Sequence, residues 1–345
     1  MAKKVLAVLI AILILFNMSS CSLVKTNRYE AQFLVLFDTI TTLVSYMKTK
    51  DEFSDFSTLV YDNLKEYHEL YDIYNDYEGV NNLKTINDNA GLSPVKVDQR
   101  IIDLLKFAKT LYEQTGGKVN VAFGAVLKIW HDYRTSGIDD PESAKLPSVQ
   151  ELADASEHTD INDIIIDEEN STVFLSDPQM RLDVGAVAKG YAVERVAETA
   201  KENGFTNALI SVGGNVRALG NKGDGTLWNV AIQNPEPQGP NLHIVNIDEL
   251  SVVSSGDYER FYIVDGKKYH HIIDPDTLFP AGFMTAVTII TADSGYADAL
   301  STAVFNMPYE QGLEFIDALP GVEAMWVLKD GTKKYSSGFM KYVKE

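Results

Sequence analysis

Two adjacent histidines, His270 and His271, sit in a stretch that reads as a β-hairpin, with residues 261–264 and 267–273 as its arms. Asp265-Gly266 supplies the two-residue turn. Alternation along the second arm groups His271 with Tyr269 and Ile273 on one face, and His270 with Ile272 on the other. One histidine can therefore face a site while its neighbour faces away. The chain has six histidines, which makes this hairpin the first place to look for acid–base chemistry near neutral pH.

Three other constellations carry chemistry of a different kind. Between Leu182 and Ala192 a strand-like segment meets glycines and small residues and then an amphipathic helix. Glycines let backbone approach a ligand, and a helix N-terminus offers N–H groups to phosphate. Asp183 and Lys189 bracket that turn with opposite charges; the other reading is a capped helix whose glycines serve close packing. Asp298 and Thr302 stand four apart, hence on one helical face. A carboxylate and a hydroxyl there suit a hard cation such as Mg2+, although a Thr bonding back to its own helix has the same spacing. Ser211-Val212-Gly213-Gly214-Asn215 reads as a tight turn or as a loop that a ligand approaches.

The elements that position these groups follow from periodicity. Residues 33–47 read as a strand and 51–73 as a helix. The Asn/Asp-rich 74–91 stretch reads as loop. Residues 98–115 form an amphipathic helix closed by Gly116-Gly117, and 131–146, with Gly137, Pro141 and the following Pro147, reads as loop. Strands at 172–175 and 205–212 flank a helix at 185–203 capped by Gly204. Short strands fill 228–290, helices 292–306 and 310–319, and a hairpin at 322–336 closes the chain. Antiparallel runs with segregated helices make an α+β fold.

Composition narrows the partners. The formal charge is −19, which argues against binding nucleic acid or anionic lipid by bulk charge. A polyanionic ligand needs a local device: a metal ion, a lysine or helix amides. Residues 1–20 read as a signal peptide, with Lys3 and Lys4 before an apolar run too short to span a bilayer. Met18-Ser19-Ser20-Cys21 resembles a bacterial lipobox, so Cys21, the only cysteine, is the expected lipidation site. Residues 21–30 then form a tether, and 31–345 the folded domain. The protein is expected outside the cell membrane, anchored to it by lipid.

In this order, LDVGAVAKGYA, SVGGN, SSGDYERF, YHHIIDPDT and ADALSTAVF resemble the motif set of the ApbE-type FAD:protein FMN transferases, over nearly the whole chain beyond the leader. The resemblance implies a single α+β domain with antiparallel sheets, flanking helices and FAD in the cleft between them. It implies Mg2+-dependent cleavage of the FAD phosphoanhydride, transfer of FMN to a Thr or Ser hydroxyl and release of AMP. Implied acceptors are subunits of Rnf- or Nqr-type redox complexes carrying a Ser/Asp-Gly-x-Thr/Ser motif. Carried over residue by residue, it makes His271 the base. Phe37, Tyr74, the Lys118-Val119-Asn120 segment, Asp183, Lys189 and Ile273 become FAD contacts. Ala186, by its carbonyl, joins Asp298 and Thr302 at the Mg2+.

The chain departs from the family pattern at Asn120, where Asp is usual, and at Asp38 and Leu278, where Gly is usual. Tyr77 competes with Tyr74 for the aromatic position. Within the same motif set two other outcomes stand: a Mg2+-dependent FAD pyrophosphatase giving FMN and AMP, and a non-catalytic FAD-binding lipoprotein. A periplasmic solute-binding lipoprotein would need two parallel α/β lobes, against the short strands after Trp228.

Overall fold

The computed structural model describes residues 26–236 and 238–345. The expected leader and Cys21 lie outside the described residues. Eight strands form one antiparallel sheet: Asn27–Leu36, Thr39–Met47, Ala208–Val212, Asn215–Leu219, Ser251–Gly256, Met284–Thr291, Glu323–Leu328 and Lys333–Tyr335. Their order across the sheet is their order along the chain. The first strand begins at Asn27, inside the stretch expected as tether.

Alternation explains why both faces of this sheet are covered. Leu43, Val253, Val287 and Ile289 enter the main core, whereas Val44, Val252, Ala286 and Ile290 enter a second one. The second core is closed by the two-stranded sheet Trp228–Ile232 and His243–Ile247. The helices are α1 Lys50–Tyr71, α2 Leu83–Asp88, α3 Gln99–Gln114, α4 Gly124–Asp139, α5 Val149–Ser156, α6 Ala188–Glu202, α7 Ser294–Phe305 and α8 Tyr309–Asp317; all but α4 and α5 close the first core. Helix α1 starts with a Thr49/Glu52 capping box and buries Phe53, Phe56, Val60 and Leu64. Each such side chain contributes about 1.5–3 kcal/mol when fully buried.

Three expectations need correction. The segment read as one strand at 33–47 is a hairpin. Phe37 and Asp38 both take positive φ, 54° and 52°, which is a primed turn built without the Asn or Gly that normally marks it. The Asn/Asp-rich segment 74–91 contains α2, because Asn82 and Thr85 make a reciprocal cap. His131 to Asp139 is helical, not loop. Gly137 lies inside α4 because a Cβ there would sit 2.7 Å from the Tyr262 ring, and the helix ends only before Pro141.

A third cluster forms a small lobe beside the main body. Val126 and Trp130 of α4 pack with Tyr262, Val264 and Ile273. The hairpin Phe261–Val264 and Lys267–His270 lies between this lobe and the main core, and turns at Asp265 and Gly266 as expected, with φ 49° and 77°.

Candidate active site

The second arm of the hairpin ends at His270, so the ladder stops one residue before His271. The sidedness still alternates: Ile272 joins the main core and Ile273 the small lobe. His270 is buried, its ring edge-on to Phe305. Its Nε2 donates to the Ala281 carbonyl at 3.0 Å, and its Nδ1 accepts from the Ile272 N–H at 3.3 Å. Both nitrogens are occupied, and burial holds its pKa down at about 4.

His271 is arranged differently. The Arg260 carbonyl accepts from its backbone N–H at 3.0 Å and from its Nδ1 at 3.2 Å. A carbonyl only accepts, so Nδ1 carries the proton and Nε2 keeps its lone pair. The residue is partly exposed, with the ring close to the protein's charged groups. Burial first, then Arg260 and Arg134, hold its pKa down at about 3.

Helices α6 and α7 cross at glycine. A Cβ on Gly190 would lie 2.2 Å from the Ser294 carbonyl oxygen and 2.5 Å from Asp298 Cβ. At that contact the Gly190 N–H donates to Asp298 Oδ2 at 2.8 Å. The N-terminal amides of α6 are therefore not all free for a phosphate: Asp298 takes one, and the Val184 carbonyl accepts from Ala188. Lys189 Nζ stands 3.8 Å from the same carboxylate oxygen. A buried Glu194–Arg217 pair supports the crossing, and Glu194 Oε2 also accepts the Ser294 N–H at 2.7 Å. Thr302 Oγ1 donates to the Asp298 carbonyl at 3.4 Å, the back-bond weighed from sequence. Ala186 lies in the turn leading into α6.

These donors pass a chemical test for Mg2+. Among the described residues, no three His, Cys, Asp or Glu groups form a metal cage. Mg2+ does not require one; it binds through one or two carboxylates, substrate phosphate and retained water. Asp298, Thr302 and a backbone carbonyl are hard oxygen donors of that kind.

Asp183 opens a cleft of about 190 Å³ lined by Tyr74, His131, Arg181 and Leu182. Its Oδ1 accepts the Gly185 N–H at 2.9 Å. Burial pushes its carboxyl up, against the pull of that N–H, His131, Arg134 and Arg260. Tyr74 faces the cleft, its ring 5.3 Å from that of His131. Tyr77 does not, because its hydroxyl donates to Asp72 and its ring packs on His68. Phe37 caps the other side of His68, to which its N–H donates at 3.2 Å. A larger cavity of about 310 Å³ lies away from this chemistry, at Glu66, Glu69, Asp98 and Arg100. Its arginine is already paired to Asp98 and Glu66.

The Lys118–Asn120 segment sits beside the loop after His271. Lys118 Nζ donates to Asp274 at 2.8 Å and to Asp276 at 2.7 Å, so its charge is spent on that loop. Val119 is buried, and Asn120 donates to the Thr159 carbonyl and accepts from the Ala122 N–H. Ile273 is buried and bridges to Pro280. Leu278 and Asp38, the two departures from family glycine, both have positive φ, at 61° and 52°. That is the conformation glycine adopts freely. Sequence reading missed His131, Arg134, Arg260 and Glu194. The first two sit three apart on α4, a spacing hidden once that segment was read as loop.

Comparison with known proteins shows the family and the fold. A sequence model of the ApbE family covers residues 37–326. A Treponema pallidum protein named FAD:protein FMN transferase is 36% identical over 278 residues, 76% of this chain and 75% of its own length. A Klebsiella pneumoniae protein of the same name is 32% identical, over 79% of this chain and 81% of its own. The crystal structure of the ApbE protein from Thermotoga maritima superposes with a TM-score of 0.81 at 30% identity, covering 92% of this chain and all of that one. The flavin transferase ApbE of Vibrio cholerae shares the fold, with a TM-score of 0.76 at 24% identity. On the match of the family model over residues 37–326, the identity to these relatives and the shared fold, this chain belongs to the ApbE family.

Proposed function

We propose that this protein is an FAD:protein FMN transferase that uses Mg2+ and modifies a Thr or Ser hydroxyl of a partner protein. The relatives that carry that name support the activity. The observation that carries the chemistry is the anchored imidazole of His271, whose Nδ1 is held by the Arg260 carbonyl while Nε2 keeps its lone pair.

In this reading FAD is the substrate. The isoalloxazine lies against Tyr74 and Phe37, with the diphosphate between His271 and the α6–α7 crossing. Asp183, Lys189, Ile273 and the backbone of Lys118, Val119 and Asn120 complete its surroundings. Asp298, Thr302 and the Ala186 carbonyl would hold Mg2+, which when bound neutralises diphosphate charge. The acceptor oxygen attacks the phosphorus of the FMN half, and the bond to the AMP phosphate breaks. His271 Nε2 takes the hydroxyl proton, a contribution of typically ~10²–10⁴-fold. An imidazole depressed to about 3 is neutral at pH 7 and able to accept, though weakly basic. The negative diphosphate beside it raises that basicity when substrate binds.

The proposal extends to the acceptor and to location. Acceptors are subunits of Rnf- or Nqr-type complexes with the Ser/Asp-Gly-x-Thr/Ser motif. Cys21 is the lipid anchor, holding the domain on the outer side of the cell membrane.

The test is incubation with FAD and a peptide bearing that motif, with and without Mg2+, read by mass spectrometry. Covalent FMN on the peptide is expected only with Mg2+. Free FMN and AMP with unmodified peptide would replace transfer by hydrolysis, and FAD bound unchanged would remove catalysis altogether.

A further inference from the structure

The chain has seven arginines in a strongly acidic sequence of net charge −19. Arg28, Arg100, Arg195 and Arg217 each lie within 4.0 Å of a carboxylate. Among the described residues, Arg134, Arg181 and Arg260 make no such pair. These three are gathered around one place. Arg181 lines the Asp183 cleft. Arg134, on α4, spends one Nη2 bond on His131 Nδ1 at 3.0 Å, beside the Tyr74 ring. Arg260 presents its carbonyl to His271, so its side chain leaves the backbone at the histidine itself.

Arg134 and Arg260 act electrostatically on the same three groups, Tyr74, Asp183 and His271, and on each other. Two like charges acting on each other, Arg134 partly buried and Arg260 exposed, in a chain with a surplus of carboxylates, are an unfavourable arrangement in the free protein. Guanidinium forks complement a phosphate geometrically, each with parallel N–H donors.

We propose that Arg134 and Arg260 form a guanidinium clamp for the diphosphate of the dinucleotide, holding it beside His271 Nε2. The clamp rests on the FAD reading of the site and adds two ligands to it. It supplies, from the protein, the anion-binding device that net charge alone denies. It also leaves Lys189 to the Asp298 carboxylate. The acceptor hydroxyl then meets a phosphorus whose oxygens are fixed from the small lobe by Arg134 and from the hairpin by Arg260.

The experiment measures binding of FAD, ADP and riboflavin, without Mg2+, to the wild-type protein and to Arg134→Gln, Arg260→Gln and Arg260→Lys. Each loss of a charge-assisted contact weakens binding about ten- to a hundredfold. FAD and ADP are expected to weaken by that factor in both glutamine variants. Riboflavin, which has no phosphate, keeps its affinity, and Arg260→Lys recovers part of the loss. Unchanged FAD and ADP affinity in the glutamine variants overturns the clamp while the FAD reading stands. So does an equal loss of riboflavin, or a defect seen only in the Michaelis constant for an acidic acceptor peptide. Wild-type protein that binds ADP through these arginines but neither flavin keeps the clamp and removes the FAD reading.

Discussion

Gly190→Ala tests whether the α6–α7 crossing is the device that positions Asp298. The added Cβ would stand 2.2 Å from the Ser294 carbonyl oxygen, whereas real Cβ contacts do not fall below 3.0 Å. The obstacle is backbone, so no side chain can swing away, and the helices must part by about 0.8 Å or more. Overpacking of this kind costs about 1–3 kcal/mol. The Gly190 N–H bond to the buried Asp298 carboxylate, 2.8 Å long, is stretched at the same time, at a cost of about 1.5–3 kcal/mol if lost. Alanine returns about 1 kcal/mol of helix propensity. The balance is a destabilisation of about 1.5–5 kcal/mol, read as a shift in urea midpoint at unchanged slope. Mg2+ affinity by calorimetry should fall with it, because Asp298 moves with α7. Gly204→Ala is the control: a Cβ there meets nothing, but φ is +86°, so it should cost about 1–2 kcal/mol of strain and leave Mg2+ affinity intact. If Gly190→Ala kept its unfolding free energy within about 0.5 kcal/mol of wild type and the same Mg2+ affinity, the crossing would not be positioning the carboxylate.

Two further predictions follow from buried charge. His270 takes a proton at 6.5 in the unfolded chain but only at about 4 when folded. The unfolded state therefore binds more protons between those values, and stability is full above pH 6.5 and is lost as pH falls towards 4. At about 1.4 kcal/mol per pH unit the loss approaches 3 kcal/mol; urea midpoints at pH 7.5 and 4.5 should show a smaller drop in His270→Asn than in wild type, and equal drops would contradict the assignment. Lys118→Met strips the ammonium from Asp274, whose side chain is only 5% exposed. The Asp276 N–H and the Thr277 hydroxyl still bond that carboxylate, so the cost is about 2–3 kcal/mol rather than the full ~3–5 of an orphaned buried charge. The double variant with Asp274→Asn should recover at least half of it, and strictly additive losses would show the pair is uncoupled.

Local signals made much of the fold legible. The α1 and α3 helices have unbroken apolar periodicity, and α1 has a capping box at its start. The Asp265-Gly266 turn and the Gly204 cap need positive φ, and the residues present favour it. Misreadings arose where a residue was chosen for a distant contact. Gly137 looks like a helix breaker and is a helix residue kept small by Tyr262. Phe37 looks like mid-strand and is a turn residue, with its N–H on His68, thirty-one positions away.

The same division runs through the candidate site. Sequence by itself marked His271, Asp183, Lys189, Asp298 and Thr302, because motif order and i, i+4 spacing are properties of the chain. It also separated His270 from His271, because side chains alternate along an extended arm. Only the tertiary structure decided that Asp298 spends one oxygen on the Gly190 amide, that Lys118 is tied to Asp274, and that Tyr74 rather than Tyr77 faces the cleft. Only it gathered Arg134, from α4, and Arg260, from the hairpin, around one imidazole. Those facts depend on which helix crosses which and which lobe packs on which strand. Contacts such as Gly190 with Asp298 and Lys118 with Asp274 join residues more than a hundred positions apart and leave no period in the sequence.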